Sequence, residues 1–201
     1  AYWMRSGIAD AITPPDCERP VMQRPGFGDV VGGLTIAGAI AAALYRRATT
    51  GEPSVIDVSL LGLGMWQLQS EITHAGHNPD AKPRSFDRKA TWNPLSGPYH
   101  TRDGRFIYLS MLDADRYWAD LCQVIGHPEL IDDPRYVDMA ARRENARPCV
   151  EALDTIFAAR DYADWCDVMK DVKGVWAPMQ TRHEVLRDPQ VGPNGIMAEV
   201  G

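Results

Sequence analysis

Residues 26–51 restrict the fold of this chain more than any other stretch of the sequence. They form a long run of small and apolar residues, GFGDVVGGLTIAGAIAAALYRRATTG, with one acidic residue, Asp29, near the start. Apolar residues recur from Val30 to Leu44 at close to helical spacing. The glycines and alanines between them make a thin helix that a second backbone can approach closely. The run therefore predicts a buried helix that begins with Asp29 as its cap and stops at Gly51.

The residues around this helix predict an α/β fold. The segment SVIDVSLL, residues 54–61, is rich in β-branched residues and is typical of a buried strand. A helix followed by a tight turn and a buried strand is the pattern of α/β proteins. We also expect helices over residues 2–12 and 60–75, on either side of this unit.

The second half of the chain predicts a separate module. Residues 76–92 carry many prolines and polar residues and are interpreted as a linker. A hairpin is expected over residues 97–112, because Asp103-Gly104 separates two strand-like runs. The remaining elements are helices over 115–125, 142–159 and 162–170, a short strand over 175–180, and a helix opened by a Thr181/Glu184 capping box. The predicted organisation is 1–75, linker 76–92, and 93–201.

Composition excludes several classes of function. The net charge is −6 and the pI is about 5.3, with no long basic stripe, so nucleic acid is not an expected partner. The four cysteines form no C-x-x-C pair, which favours buried thiols in a reducing, cytoplasmic setting. The start lacks a signal-peptide pattern, and the apolar run from Leu34 to Leu44 is shorter than the roughly 20 residues of a membrane span. We therefore expect no membrane partner. Both ends look cut.

Asp29 has two explanations on sequence alone. An aspartate before an apolar helix is commonly an N-cap, worth about 1 kcal/mol. Alternatively, the glycines at 26, 28, 32 and 33 give a substrate access to the carboxylate, which the helix N-terminus would keep ionised and ready to attack. On pattern alone the cap is favoured, and the glycine density supports the second explanation without deciding it.

Other candidate sites carry less support. His74 and His77 could contact one metal, but no Glu or Cys lies at a supporting offset, so no metal site is predicted. The chain has no G-x-S-x-G motif and no cysteine with a local histidine partner, which disfavours a Ser or Cys hydrolase. The glycine-rich phosphate loops are also missing. No covalently bound cofactor is expected.

Taken in order, the motifs of the chain resemble those of the class III coenzyme A transferases, the superfamily that also holds carnitine-CoA transferases and α-methylacyl-CoA racemases. The resemblance covers essentially the whole chain. It is carried by AYWMRSGIADAI, GFGDVVGGL, AAALYRRATTG, VIDVSLLGLG, NPLSGPYHTRDGRFIYLSM, DDPRY, ARRENA, DWCDVM and VWAPMQTRHEVLRDPQV. It implies part of a Rossmann-like large domain followed by a small α+β domain, from a superfamily of interlocked homodimers.

The resemblance also assigns a role to Asp29. The aspartate that follows glycine ahead of the Gly/Ala-rich helix is the family's nucleophile, and Asp29 matches it. Its carboxylate would take an acyl group from a coenzyme A thioester as an anhydride and then become an aspartyl-CoA thioester. A small carboxylic acid would next accept the CoA. We expect backbone N–H groups in the loop of Gly28, Gly32 and Gly33 to donate hydrogen bonds to the developing oxyanion.

Two alternatives stay open within the resemblance. A racemase would use Asp29 as an acid/base, with a histidine that would lie just before residue 1 and Asp113 as a possible secondary acid. The chain could also be an inactive piece that serves folding or dimerisation. The family's first Rossmann-like part, which supplies most CoA contacts, would precede residue 1, so CoA binding by this chain alone is not implied. The glycine-rich covering loop of formyl-CoA transferases would fall near Arg84 to Thr91, where this chain reads RSFDRKAT.

Overall fold

The computed structural model describes residues 1–80 and 87–197 of the 201-residue chain. These residues form two compact units, 1–80 and 87–197. In the first unit the helices are α1 (Tyr2–Arg5), α2 (Ile8–Ile12), α3 (Phe27–Thr50), α4 (Leu60–Gln67) and α5 (Gln69–His77). In the second they are α6 (Ala114–Val124), α7 (Met139–Glu144), α8 (Ala146–Phe157), α9 (Tyr162–Val168) and α10 (Arg182–Val185). The strands β1 (Ser96–His100), β2 (Phe106–Ser110) and β3 (Trp176–Pro178) belong to the second unit.

The first unit is a helical assembly with a small core. Trp3, Ile8 and Ala9 are buried together, and Leu68 packs against them. The sequence predicts one helix over residues 2–12, but Gly7 has a φ of +89° and separates α1 from α2. The helix predicted over residues 60–75 is present as α4 and α5, which join at Leu68.

Helix α3 corrects the prediction of a buried helix. It is present over 24 residues and ends as predicted at Gly51, where φ is +74° and the N–H bonds the Arg47 carbonyl at 2.9 Å. Most of its side chains are exposed, however, and Leu34 keeps 78% of its surface accessible. Within this unit its main packing neighbour is α4, whose Leu60 and Leu63 lie against Gly32, while Tyr2 of α1 lies against Gly28. Gly28 and Gly32 thus allow neighbouring side chains to approach the backbone of α3 closely on one face.

Length and composition alone would allow α3 to cross a membrane. Its most apolar stretch has a mean hydropathy of 1.7, and 11% of that stretch is buried. The apolar run from Leu34 to Leu44 is short, but the helix also extends over the glycines and threonines on both sides. Core helices of soluble proteins satisfy the same criterion, so the observation is weak evidence for a membrane.

The strand predicted over residues 54–61 is wrong. Residues 52–59 adopt no regular structure, and Val55 is 98% exposed. A strand is stabilised by hydrogen bonds to a neighbouring strand, and the described part of this unit offers none. Ser59 instead caps α4, where its Oγ accepts a hydrogen bond from the Gly62 N–H at 3.0 Å.

The second unit confirms most of its predicted elements. Strands β1 and β2 form the predicted antiparallel hairpin, with Gly104 at φ +78° in the turn, and β3 pairs with β2. The helix predicted over residues 142–159 is divided at Asn145 into α7 and α8. Helices α6, α8 and α9 cover a core centred on the sheet. Its largest fully buried apolar and aromatic side chains are Trp165, Tyr99, Tyr136, Phe157, Leu95, Ile107, Leu109, Met111, Leu121, Ile125 and Leu153.

Part of the predicted linker is folded against the second unit. Residues 81–86 lie outside the described residues, but Arg88–Ala90 form a 3₁₀ turn that packs on α8. Asp87 pairs with Arg147 at 2.8 Å and Lys89 pairs with Glu151 at 2.9 Å. Residues 87–90, where the family's covering loop would fall, therefore form two ion pairs with α8.

Candidate active site

Asp29 lies in the first turn of α3, two residues after the helix begins. The prediction that it caps the helix is corrected, because Gly26 occupies the cap position with a φ of +79° and the helix has no side-chain cap. The Asp29 carboxylate is exposed. Within residues 1–80 and 87–197 it makes no hydrogen bond or ion pair. A carboxylate that is not engaged in capping is available to a reaction partner.

The backbone around Asp29 provides hydrogen-bond donors. The first intrahelical bond of α3 runs from the Val30 N–H to the Gly26 carbonyl at 3.0 Å. The N–H groups of Gly28 and Asp29 precede it and have no acceptor in the described part of the chain. They lie at the positive end of the helix dipole, where negative charge is stabilised. An anionic oxygen near Asp29 would therefore meet unused donors.

Of the three glycines predicted as donors, only Gly28 lies in the first turn of α3. Gly32 and Gly33 lie beyond the first turn of α3, where an α-helix directs each N–H to the carbonyl four residues earlier. Their N–H groups are consequently occupied and cannot serve an oxyanion. Gly32 is buried, and a Cβ at that position would lie 3.3 Å from Cδ2 of Leu60. It serves helix packing, whereas Gly33 faces open space.

Tyr2 is a residue of this site that the sequence analysis missed. Its ring packs beneath the first turn of α3, so that a Cβ at position 28 would lie 2.8 Å from its Cδ1 and Cζ atoms. Its hydroxyl donates a hydrogen bond to Gln23 Oε1 at 3.0 Å. The sequence shows both Tyr2 and Gly28, but the periodicity of apolar residues does not show that these two distant residues are in contact.

The other candidate residues lie on other elements of the chain. Asp113 is exposed and directly precedes α6 in the second unit, without capping it. His74 contacts the side chain of Asn78 at 3.4 Å. No group of three or more His, Cys, Asp or Glu residues within the described residues is arranged to hold a metal.

Two of the cysteines are unsuited to nucleophilic chemistry. Burial raises the pKa of the Cys122 and Cys149 thiols to about 12, so both remain protonated at neutral pH. The expectation of buried thiols holds for these two, but Cys17 is exposed.

Comparison with known proteins shows the family. The model of CoA-transferase family III matches residues 1–201, so the chain belongs to this family. It is 23% identical over 98% of its length to (R)-2-hydroxy-4-methylpentanoate CoA-transferase from Clostridioides difficile, and 28% identical over 98% to acetyl-CoA:oxalate CoA-transferase from Acetobacter aceti. These matches cover 48% and 50% of those proteins. The chain thus spans about half the length of the curated relatives it matches.

A solved structure shares the fold. The orthorhombic crystal structure of Rv3272 from M. tuberculosis aligns with 100% of this chain and 51% of its own, with a TM-score of 0.79 and 20% identity. The agreement extends over both units of the chain. It places α3 within a fold that has been observed experimentally.

Proposed function

We propose that the full-length protein transfers coenzyme A from an acyl-CoA to a carboxylic acid, with Asp29 as the nucleophile. The observation that carries the proposal is the exposed carboxylate of Asp29, beside the N–H groups of Gly28 and Asp29, none of which has a partner among the described residues. Membership of CoA-transferase family III supports the reaction class. The proposal applies to the full-length protein because the chain covers about half of its relatives.

The first half of the proposed reaction moves CoA onto the protein. The Asp29 carboxylate attacks the thioester carbonyl, the C–S bond breaks, and an aspartyl acyl anhydride and a CoA thiolate form. The thiolate then attacks the aspartyl carbonyl of the anhydride. The donor acid leaves as a carboxylate, and Asp29 is held as a CoA thioester.

The second half reverses these steps with a different acid. The acceptor carboxylate attacks the aspartyl thioester, which releases the thiolate and forms a second anhydride. Thiolate attack on the acceptor's acyl carbonyl gives the new acyl-CoA and regenerates Asp29. Each addition places negative charge on a carbonyl oxygen, and the Gly28 N–H is the proposed donor to that oxygen.

The proposed substrates are CoA thioesters and small carboxylic acids. Relatives are named for a branched 2-hydroxy acid and for oxalate, which share a carboxylate as the accepting group. We further propose that the full-length protein is a cytoplasmic homodimer.

The test is substitution of Asp29 in the full-length protein. Asp29→Asn is expected to lower CoA transfer at least about 1,000-fold, because the amide cannot form the anhydride. Hydroxylamine should trap the wild-type intermediate as a hydroxamate at residue 29, seen by peptide mass spectrometry. Asp10→Asn is the matched control, since Asp10 is an exposed aspartate of the same unit. Full activity of Asp29→Asn would contradict the proposal.

The same assay in deuterated water separates transfer from racemisation. CoA transfer to an added acid without deuterium at the α-carbon supports the transferase. Deuterium uptake that needs no added acid would make Asp29 an acid/base and would contradict the nucleophilic role.

A further inference from the structure

The ring of Tyr2 lies between two glycines on different helices. On one side it meets Gly28 of α3, where a Cβ would approach Cδ1 and Cζ of the ring to 2.8 Å. On the other side it meets Gly64 of α4, where a Cβ would lie 3.1 Å from Cδ2. Both glycines are buried. Real Cβ atoms do not come as close to a ring carbon as an added Cβ at position 28 would come to Tyr2. Position 28 must therefore lack a side chain for the ring to occupy this place.

The hydroxyl of Tyr2 reaches the loop that enters α3. It donates to Gln23 Oε1 at 3.0 Å, and Gln23 lies three residues before the cap residue Gly26. One side chain therefore contacts the first turn of α3 through its ring and the entering loop through its hydroxyl.

Among the described residues, few other contacts restrain the first turn of α3. Its cap is a glycine at positive φ, it lacks a side-chain cap, and Phe27 is 54% exposed. Glycine loses more conformational freedom on ordering than other residues, and helix ends open more readily than helix centres. The Asp29 carboxylate itself makes no bond within the described residues that would fix its position.

From these contacts we infer that Tyr2 is a positioning residue, which holds the first turn of α3 so that Asp29 and the Gly28 N–H face the same substrate carbonyl. The inference rests on the proposed function of Asp29. Tyr2 acts through the turn and takes no part in bond making.

A first experiment tests the restraint without reference to activity. Hydrogen exchange of the full-length protein is followed at the amides of Val30 and Val31, which close the first turn. Tyr2→Ala is expected to speed exchange there about 10-fold, with no change near the C-terminal end of α3. Tyr2→Phe, which keeps the ring, should change it far less. Unchanged exchange at Val30 and Val31 in Tyr2→Ala would overturn the inference, whatever Asp29 does.

A second experiment measures the effect on transfer. Tyr2→Ala is expected to lower kcat about 10- to 100-fold with KM changed less than about 3-fold, because a displaced nucleophile slows the chemical step more than binding. Ile8→Ala is the control, since Ile8 lies in the small core of the same unit. An equal loss of kcat in Ile8→Ala would reduce Tyr2 to a structural role and overturn the inference. The activity of Asp29→Asn tests the proposed function separately, and the Tyr2 outcomes do not depend on it.

A double substitution tests the contact itself. Gly28→Ala keeps Tyr2 and its own N–H but must displace the ring, so it should lower kcat in the wild-type background. In the Tyr2→Ala background the added methyl group has room, and Gly28→Ala should cost little more. Additive losses would show that the two positions act separately and would overturn the inference.

Discussion

At the scale of single residues, Arg105 and Glu184 join the hairpin to α10. Both guanidinium NH groups of Arg105 donate to the Glu184 carboxylate at 2.8 Å, and the guanidinium lies 3.3 Å from the centre of the Tyr162 ring. Glu184 also accepts a hydrogen bond from the Thr181 N–H at 2.7 Å, as the predicted capping box requires. The Arg105 guanidinium and the Thr181 N–H lower the pKa of Glu184 to about 2.

This lowered pKa predicts a pH dependence of stability. Glu184 has an ordinary pKa of 4.5, so its contribution is complete above that pH and is lost as pH falls from about 4.5 towards about 2. We expect Glu184→Gln to lower Tm by about 2–4 °C at pH 7 and by less at pH 3, where the unfolded chain is protonated at this residue. Thermal unfolding at the two pH values checks this. An equal difference at both would show that the charge of Glu184 is not responsible.

At the scale of elements, α8 is the centre of the second unit. Phe157 at its end is fully buried between Tyr99 of β1 and Trp165 of α9, with ring centres 5.1 and 4.8 Å away. The Trp165 indole also donates to the Phe157 carbonyl at 2.7 Å. The Phe157 ring therefore connects β1, α8 and α9 in the core.

Removal of this ring should be costly. Phe157→Ala is expected to lower the free energy of unfolding by about 3–5 kcal/mol, because it leaves a cavity among rigid aromatic groups. Phe106→Ala is the control, since Phe106 lies at the end of β2 and is only half-buried. Urea titration measures both. Equal losses would contradict the central role of Phe157.

Elements with local signals were predictable from the sequence, and elements that depend on distant partners were not. Asp103-Gly104 and the Thr181/Glu184 box carry their hydrogen bonds within a few residues, and both predictions are confirmed. The β-branched run near Val55 has the composition of a strand, but composition does not supply a neighbouring strand. Asp29 followed from family resemblance. Tyr2 did not, because its contact with Gly28 spans 26 positions that no periodicity connects.

At the scale of the whole molecule, the two units differ in how much core they possess. The second unit buries apolar side chains from β1, β2, α6, α8 and α9 in one continuous cluster. The first buries Trp3, Ile8 and Ala9, while α3 exposes Leu34 and Leu44. Stability rises with the apolar surface that is removed from water, so the units should not be equally stable.

We therefore expect residues 87–197 to fold alone and residues 1–80 not to. The larger fragment should unfold in one cooperative transition, since a single core joins its elements. The smaller should melt without a sharp transition and bind a hydrophobic dye, because an exposed apolar helix face of this length is not stabilised by three buried residues. Circular dichroism and dye fluorescence of the two fragments check this. A cooperative transition in residues 1–80 would mean that α3 gains more from α4 than the buried residues indicate.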